Sequence, residues 1–293
     1  MTISDSATNL DDNSGYVFGS VSKDANADPY LDEEVYTAKY LSDRDARIAD
    51  NKNDDTLLDS LILYLPFNES TNSRIFADKS GQGNSASCAS SSECPISGIS
   101  GHRGNSVNFI NHNQIVTISD DSSLHSDRDL TISVWIYPGA LEAEAGVIVS
   151  KINGNVDCPA SGGNCSDREY FLSINQTGRI QFQLTPIGRI GIGSVNCQTS
   201  AGAVPFGQWS HIVARASADP QEMKVFVNGN VAMTCKQPAL SSGIRTSDGQ
   251  VSIGRMTKTS WGAFDLPFNG RIDELRIYNR AISESEVKAL GKF

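Results

Sequence analysis

The chain has 293 residues, 39% of them hydrophobic, and a formal net charge of −10 at pH 7. This composition is typical of a globular protein, and the acidic balance argues against a basic nucleic-acid-binding surface. No apolar run reaches the roughly 18 residues of a membrane helix, so no membrane insertion is predicted. The first residues also lack the basic and apolar segments of a signal peptide.

The acidic charge is concentrated at the N-terminal side of the chain. Residues 1–57 contain 13 acidic and 5 basic residues, a net charge of −8, whereas the remainder contains 21 and 19, a net charge of −2. We therefore predict two parts, an acidic arm or linker over 1–57 and a folded domain over 58–293. Within the arm, residues 14–22 can form a lone strand and residues 31–50 a moderately amphipathic helix.

The six cysteines predict disulfide bonds and an oxidising compartment. Their spacings are wider than those of zinc knuckles, and no paired histidines accompany them. Fifteen connectivities are open. Proximity along the chain favours Cys88–Cys94, Cys158–Cys165 and Cys197–Cys235.

From residue 58 onward the sequence predicts strands connected by tight turns. In 130–138, "LTISVWIYP", apolar residues alternate with polar and aromatic ones, and this period of two is typical of a sheet. Asn228-Gly229 predicts a two-residue type I′ hairpin, and Thr177-Gly178 is a weaker signal of the same kind. About a dozen such strands, with no helices between them, predict an all-β antiparallel sandwich of the jelly-roll type.

The last strand, predicted at 270–279, carries two adjacent acids, Asp273 and Glu274, that interrupt the alternation. At least one of them must lie at a buried position, where a carboxylate needs a partner. A capping box formed by Ser283 and Glu286 then predicts a short C-terminal helix with Val287 facing inward.

Seven segments in order make the chain resemble the laminin-G-like, concanavalin A-like jelly-roll family over about 58–290. The departures from this resemblance are insertions at 84–100, 153–167 and 185–206, and residues 1–57 match nothing in it. The matching segments are "LYLPFNES", "DKSGQGN", "GHRGNSVNF", "LTISVWIYP", "GQWSHIVA", "KVFVNGN" and "FNGRIDELRIYNRAIS".

The resemblance implies a structural calcium ion bound near the last strand. Asp273 would provide a carboxylate oxygen, with backbone carbonyls near Asn68 and Gly104 and the side chain of Asp78 completing an oxygen shell. An ion pair of Asp273 with Arg271 or Arg103 is the alternative.

Catalysis is not predicted, although this fold class also includes glycoside hydrolases and polysaccharide lyases. The closely spaced carboxylates of a retaining hydrolase are missing, and Asp273 and Glu274 are expected on opposite faces of their strand. His211 resembles a histidine of alginate lyases but is interpreted as a sheet residue. Were the chain a polysaccharide-active enzyme, Asp265 and Glu169 would be the acids to test.

Two classes of function remain: binding of a ligand, and a structural role in an assembly. The loop 256–270 combines Trp261, Phe264 and Asp265, which suit a sugar-binding site because an aromatic ring can pack on the C–H face of a sugar. We therefore expect an extracellular or cell-surface module that binds glycan or a surface protein. The alternative is a self-assembling subunit of a surface filament or virion, which would contact its own copies through residues 1–57.

Overall fold

The computed structural model describes residues 57–58, 60–141, 144–153, 167–188, 194–256 and 266–292, without the side chains of residues 153 and 167. The predicted arm over 1–57, except for Leu57, lies outside these residues, as do the pair Cys158–Cys165 and the residues Trp261, Phe264 and Asp265. No helix within the described part is long and apolar enough to cross a membrane.

Eight of the described strands form the first sheet. They are β1 (Leu61–Leu65), β4 (Ile96–Ser100), β5 (Asn105–Phe109), β7 (Leu130–Pro138), β12 (Ser210–Ala218), β13 (Gln221–Val227), β14 (Asn230–Lys236) and β16 (Gly270–Tyr278). Their order is β14–β13–β12–β7–β16–β5–β4, with β1 paired to β16, and every pair is antiparallel.

The second sheet also has eight strands among the described residues. They are β2 (Ile75–Phe76), β3 (Ala86–Ser87), β6 (Val116–Ile118), β8 (Ala145–Asn153), β9 (Asp167–Asn175), β10 (Ile180–Leu184), β11 (Val195–Gln198) and β15 (Val251–Ile253). Their order is β11–β10–β9–β8–β15–β6–β3–β2. All of these pairs are antiparallel too.

One hydrophobic core lies between the two sheets, so the predicted antiparallel sandwich is confirmed. Ile132 and Val134 of β7 and Leu172 and Ile174 of β9 are fully buried in it. The strands that sequence patterns missed are short ones, β2, β3, β4 and β11. Two of these elements, β3 and β4, lie in the predicted insertion 84–100, and β11 lies in the insertion 185–206.

Two predicted turns connect neighbouring strands. Asn228 and Gly229 both have positive φ, as a type I′ hairpin between β13 and β14 requires. At the turn between β9 and β10 only Gly178 has positive φ. This turn is therefore not type I′; instead the Asn175 side chain accepts hydrogen bonds from the Thr177 and Arg179 N–H groups.

The C-terminal helix α1 (Glu284–Leu290) begins at the predicted capping box. The Ser283 hydroxyl accepts a hydrogen bond from the Glu286 N–H, and the Glu286 carboxylate accepts one from the Ser283 N–H. Val287 and Leu290 are buried in a second cluster on the outer face of the first sheet, together with Phe226 of β13. The helix therefore covers one end of that face.

Two of the three predicted disulfides lie within the described residues, and both are formed. Cys88 is bonded to Cys94, and Cys197 is bonded to Cys235 with 5.7 Å between the Cα atoms. The second bond joins β11 to β14. It therefore links an edge strand of one sheet to an edge strand of the other.

Candidate ligand-binding site

A β-bulge in β16 determines which side chains reach the outer face of the first sheet. The register with β7 shifts between Asp273 and Arg276, and Glu274 has a φ of 53°. Ile272 and Leu275 consequently both face the core although they are three residues apart. The expectation that Asp273 and Glu274 point to opposite faces was wrong. The extra residue of a bulge breaks strict alternation, so both side chains lie on the outer face of the sheet.

Asp273 is fully buried beneath the turn that connects β4 and β5. Its Oδ2 accepts a hydrogen bond of 3.0 Å from the Arg103 N–H, and its Oδ1 has no hydrogen-bond partner. Burial raises the pKa of this carboxyl to about 7, against the lowering effect of the Arg103 N–H. A Cβ on Gly101 would lie 2.5 Å from Oδ2, so only glycine allows this close approach.

The four predicted calcium ligands are only partly brought together. The Asn68 side chain meets the same β4–β5 turn, where its Oδ1 accepts a hydrogen bond of 2.8 Å from the Asn105 N–H and leaves no room for a Cβ on Gly104. Asp78 is occupied elsewhere. Its two oxygens accept four hydrogen bonds, from the Tyr64, Ser80 and Asn84 N–H groups and the Ser80 hydroxyl.

The fit to calcium therefore rests on Asp273. Its unpartnered buried oxygen suits a hard cation, whereas Asp78 does not fit as a ligand because its oxygens are already used. No group of three or more His, Cys, Asp or Glu side chains with metal-binding geometry occurs among the described residues. Calcium remains a prediction, with Asp273 and the backbone carbonyls near Asn68 and Gly104 as its ligands.

Glu274 is held by two partners on the outer face. Its carboxylate lies 2.5 Å from the Arg276 guanidinium and accepts a hydrogen bond of 3.0 Å from the Tyr64 hydroxyl. The same guanidinium lies 3.9 Å above the Tyr64 ring. Glu274 is 1% exposed, so this acid stabilises the outer face and does not reach a ligand.

A column of stacked rings continues from the acids toward α1. The exposed His102 ring stacks on Trp135 with centroids 3.4 Å apart, and Trp135 in turn lies 5.1 Å from His211. His211 is a buried sheet residue, as predicted, and shares a hydrogen bond of 2.8 Å with the Ser133 hydroxyl. Burial lowers the pKa of His211 to about 3, which keeps the ring neutral.

Beyond this column, four partly exposed side chains form a row that crosses β5, β16 and β7 and ends at the residue before β12. Tyr137 of β7 is in register with Arg271 of β16, and Arg271 is in register with Asn108 of β5. Trp209 precedes Ser210, which is opposite Ile136, so it extends the row beside Tyr137. We call Trp209, Tyr137, Arg271 and Asn108 the aromatic row.

Three side chains of the aromatic row, those of Trp209, Tyr137 and Arg271, contact one another. The rings of Tyr137 and Trp209 meet edge to face with centroids 5.7 Å apart, and the Arg271 guanidinium lies 5.2 Å from the Tyr137 ring centre. Arg271 also donates a hydrogen bond of 3.2 Å to the Ser100 carbonyl. Such contacts pre-order the groups that a ligand would meet.

Sequence reasoning did not identify this row, because its members come from four separated segments. Period-two patterns showed only that Tyr137 and Trp135 share a face. The strand order and register were needed to place Arg271 and Asn108 beside them. The sequence-predicted residues Trp261, Phe264 and Asp265 lie outside the described residues, and they precede β16 in the chain.

Glu169, the described acid considered for catalysis, lies in a buried ion cluster. Its side chain is 0% exposed and lies 3.2 Å from the Lys151 ammonium, which also contacts Asp120 at 2.6 Å. Burial raises the pKa of Glu169, whereas the ammonium of Lys151 and the ring of His125 hold the pKa of Asp120 low against the opposing effect of burial. A glycan could not reach Glu169 without opening this cluster.

Comparisons with known proteins agree with the fold. The structure resembles the binding domain of Paraclostridial Mosquitocidal Protein 1, with a TM-score of 0.55, 18% identity, and coverage of 80% of this chain and 52% of that one. It also resembles botulinum neurotoxin type C, with a TM-score of 0.58, 16% identity, and coverage of 81% and 52%. At these identities the likeness concerns the fold alone.

Sequence comparison adds a partial relative and a family. The mouse pentraxin-related protein PTX3 is 31% identical over 103 residues, which are 34% of this chain and 27% of that protein. The chain thus spans about half of these structural relatives and about a quarter of the pentraxin. The model of the concanavalin A-like lectin/glucanases superfamily, Laminin_G_3, matches residues 111–288, more than half of the sequence. The chain therefore belongs to the concanavalin A-like lectin/glucanases superfamily.

Proposed function

We propose that this chain is a noncatalytic recognition module that works outside the cytoplasm and binds glycan through the aromatic row. The single observation that carries the proposal is the composition of that row. Two aromatic rings, a guanidinium and a carboxamide lie side by side on one open sheet face.

The row has the chemistry and the dimensions of a sugar-binding surface. An aromatic ring offers an apolar face to the C–H groups of a sugar, while Arg271 and Asn108 can bond its hydroxyls. Four neighbouring strands span three spacings of about 4.8 Å, so the row is about 14 Å long. That length accommodates a short oligosaccharide lying across the strands.

Two further observations support the proposal. The disulfides Cys88–Cys94 and Cys197–Cys235 suit an oxidising compartment. Among proteins of similar fold, cell entry of botulinum neurotoxin type C depends on interaction with two ganglioside molecules, and a binding domain of botulinum neurotoxin DC forms a complex with rat synaptotagmin II. Glycan and protein ligands are thus both compatible with this architecture.

The test compares Trp209→Ala with wild type on a glycan array, followed by titration of the best glycan. We expect Trp209→Ala to weaken binding about tenfold, because an aromatic contact contributes roughly 0.5–1.5 kcal/mol beyond its buried area. Trp209→Phe, which keeps a ring, should retain most of the affinity. Ile75→Ala removes another exposed apolar side chain, 65% exposed on the second sheet, and should change nothing.

A variant at Trp261 separates the two candidate surfaces. If Trp261→Ala abolishes glycan binding while Trp209→Ala leaves it intact, the aromatic row is not the site. If wild type binds no glycan but binds a surface protein, and Trp209→Ala weakens that binding, the row recognises protein instead. Each variant is first compared with wild type by thermal unfolding to show that it folds.

A further inference from the structure

We infer a second ligand site on the opposite side of the sandwich, on the outer face of β9, β10 and β11, which takes a carboxylate-bearing polysaccharide. Alternate residues of these strands, such as Leu172, Phe182 and Cys197, lie in the core. The intervening side chains therefore point outward. On β10 and β11 they are all carboxamides, whereas Phe171 and Ser173 of β9 are buried. We call Gln181, Gln183, Asn196 and Gln198 the carboxamide face.

The register of the strands places these carboxamides in adjoining pairs. Gln181 is opposite Gln198, and Gln183 is opposite Asn196. All four side chains are at least partly exposed. A carboxamide offers both donors and an acceptor, so neighbouring pairs can bond the vicinal hydroxyls of a sugar chain lying along β10.

An arginine lies at each end of the carboxamide face. Arg168 donates a hydrogen bond to the side-chain Oε1 of Gln183 and lies 5.1 Å from the Phe171 ring centre. Arg179 donates a hydrogen bond of 3.4 Å to the side-chain Oε1 of Gln198. Arg179 lies opposite Asn175, and a register shift at Glu169 takes up one of the seven residues from Asn175 back to Arg168. The two arginines are therefore about six strand positions apart, about 20 Å at about 3.3 Å per residue.

Among the described residues, no acidic side chain pairs with either guanidinium. Within the described part of the chain, Arg168 and Arg179 make no ion pair, and the Nε of each is buried without a hydrogen-bond partner. By contrast, Arg215, Arg276 and Arg280 each contact a glutamate. None of the outward side chains of β10 and β11 is acidic, and Glu169 of β9 is buried beside the Lys151 ammonium.

This arrangement selects the ligand class by charge and shape. A guanidinium binds a planar carboxylate through two parallel hydrogen bonds, and an uncompensated pair of them favours an anion. The carboxamides between the two arginines bond hydroxyl groups. The ligand is therefore a polymer that has free hydroxyls beside its acidic groups. A polyuronate satisfies both conditions, whereas a neutral glucan has no anionic group to pair with the two guanidinium charges.

The test measures retardation of the full chain in native gels that contain polygalacturonate, dextran or dextran sulfate. We expect retardation by polygalacturonate, none by dextran, and weakening as salt rises. Arg179→Gln and Arg168→Gln should each weaken polygalacturonate binding about tenfold, since a hydrogen bond to a charged group is worth roughly that factor. Arg74→Gln, the same charge change at an arginine bonded to the Ala89 carbonyl, should have no effect.

Other outcomes decide against the site or separate it from the aromatic row. Binding of polygalacturonate that survives Arg179→Gln and Arg168→Gln overturns the inference, as does binding of dextran sulfate alone. Arg179→Lys keeps the charge but not the two-pronged geometry, so it should lose affinity while folding normally. Trp209→Ala should leave polygalacturonate binding unchanged, so either site can fail without the other.

Discussion

Lys151→Met is expected to destabilise the fold strongly, in a way that depends on pH. The Lys151 ammonium is fully buried, 2.6 Å from Asp120 and 3.2 Å from Glu169. Without it, the buried Glu169 carboxylate keeps only the N–H groups of Ser126 and Ser247 as hydrogen-bond donors. Removing one partner of a buried ion pair costs roughly 3–5 kcal/mol because the other charge stays buried.

Protonation of Glu169 limits that cost. The pKa of an unfolded glutamate, about 4.3, lies about 2.7 units below pH 7. Protonating the carboxylate at pH 7 therefore costs about 3.7 kcal/mol. At pH 5 the same step costs about 1 kcal/mol. Because burial raises the folded pKa of Glu169, the penalty is present above the unfolded pKa and is lost as pH falls toward it. The variant should therefore lose about 3–4 kcal/mol at pH 7 and about 1–2 kcal/mol at pH 5.

Urea unfolding followed by tryptophan fluorescence at the two pH values measures this difference. The double variant Lys151→Met, Glu169→Gln should recover part of the lost stability at pH 7, since the buried charge of Glu169 is gone, while the amide oxygen can accept from only one of the Ser126 and Ser247 N–H groups. Lys236→Met is the matched control: its ammonium lies 2.9 Å from Glu222 but is 72% exposed, and exposed pairs contribute about 0–1 kcal/mol. A loss below about 1 kcal/mol at pH 7, or one that does not change with pH, would refute the reasoning.

Three further predictions concern other parts of the structure. Gly254→Ala should destabilise by about 1–3 kcal/mol in urea unfolding, because the residue has φ +79 and its Cβ would overlap a core phenyl ring; unchanged stability would contradict this. Replacing Cys197 and Cys235 together by Ala should lower the free energy of unfolding by about 4 kcal/mol on the chain-entropy model, since the closed loop spans 38 residues. A loss near zero would show that the disulfide does not stabilise the packing of the two sheets. Calcium should raise the melting temperature of wild type but not of Asp273→Asn, and an equal response of both proteins would exclude Asp273 as a ligand.

Much of the fold can be predicted from the sequence, because apolar and polar residues alternate within single strands. The segment 130–138 was predicted with its observed bounds, and its apolar residues lie in the core. The capping box at Ser283 was predicted equally well, since both partners lie within one turn. Two-residue strands such as Ile75–Phe76 have no period to detect and are defined only by their partners.

The sites were less predictable, because they depend on register between distant segments. At least one of Asp273 and Glu274 was predicted to be a buried acid that needs a partner. Both are buried, and the Arg103 N–H is one partner of Asp273. The cluster of Lys151 and Glu169 gave no signal, since a lysine in a strand usually indicates an exposed position. Here the register places Lys151 opposite Tyr170, which is in the core, and the ammonium is then satisfied by two acids.

The bulge in β16 connects the fold to the proposed function. Without the extra residue, Leu275 could not face the core together with Ile272, and an acid would have to take its place. With it, both acids leave the core, yet the β4–β5 turn and Tyr64 bury them on the outer face. The carboxylates are thereby withdrawn from the surface, while Arg271, two residues before the bulge, keeps its register with Tyr137. The open part of this face therefore presents rings and a cation, and a ligand would meet donors and apolar surface there.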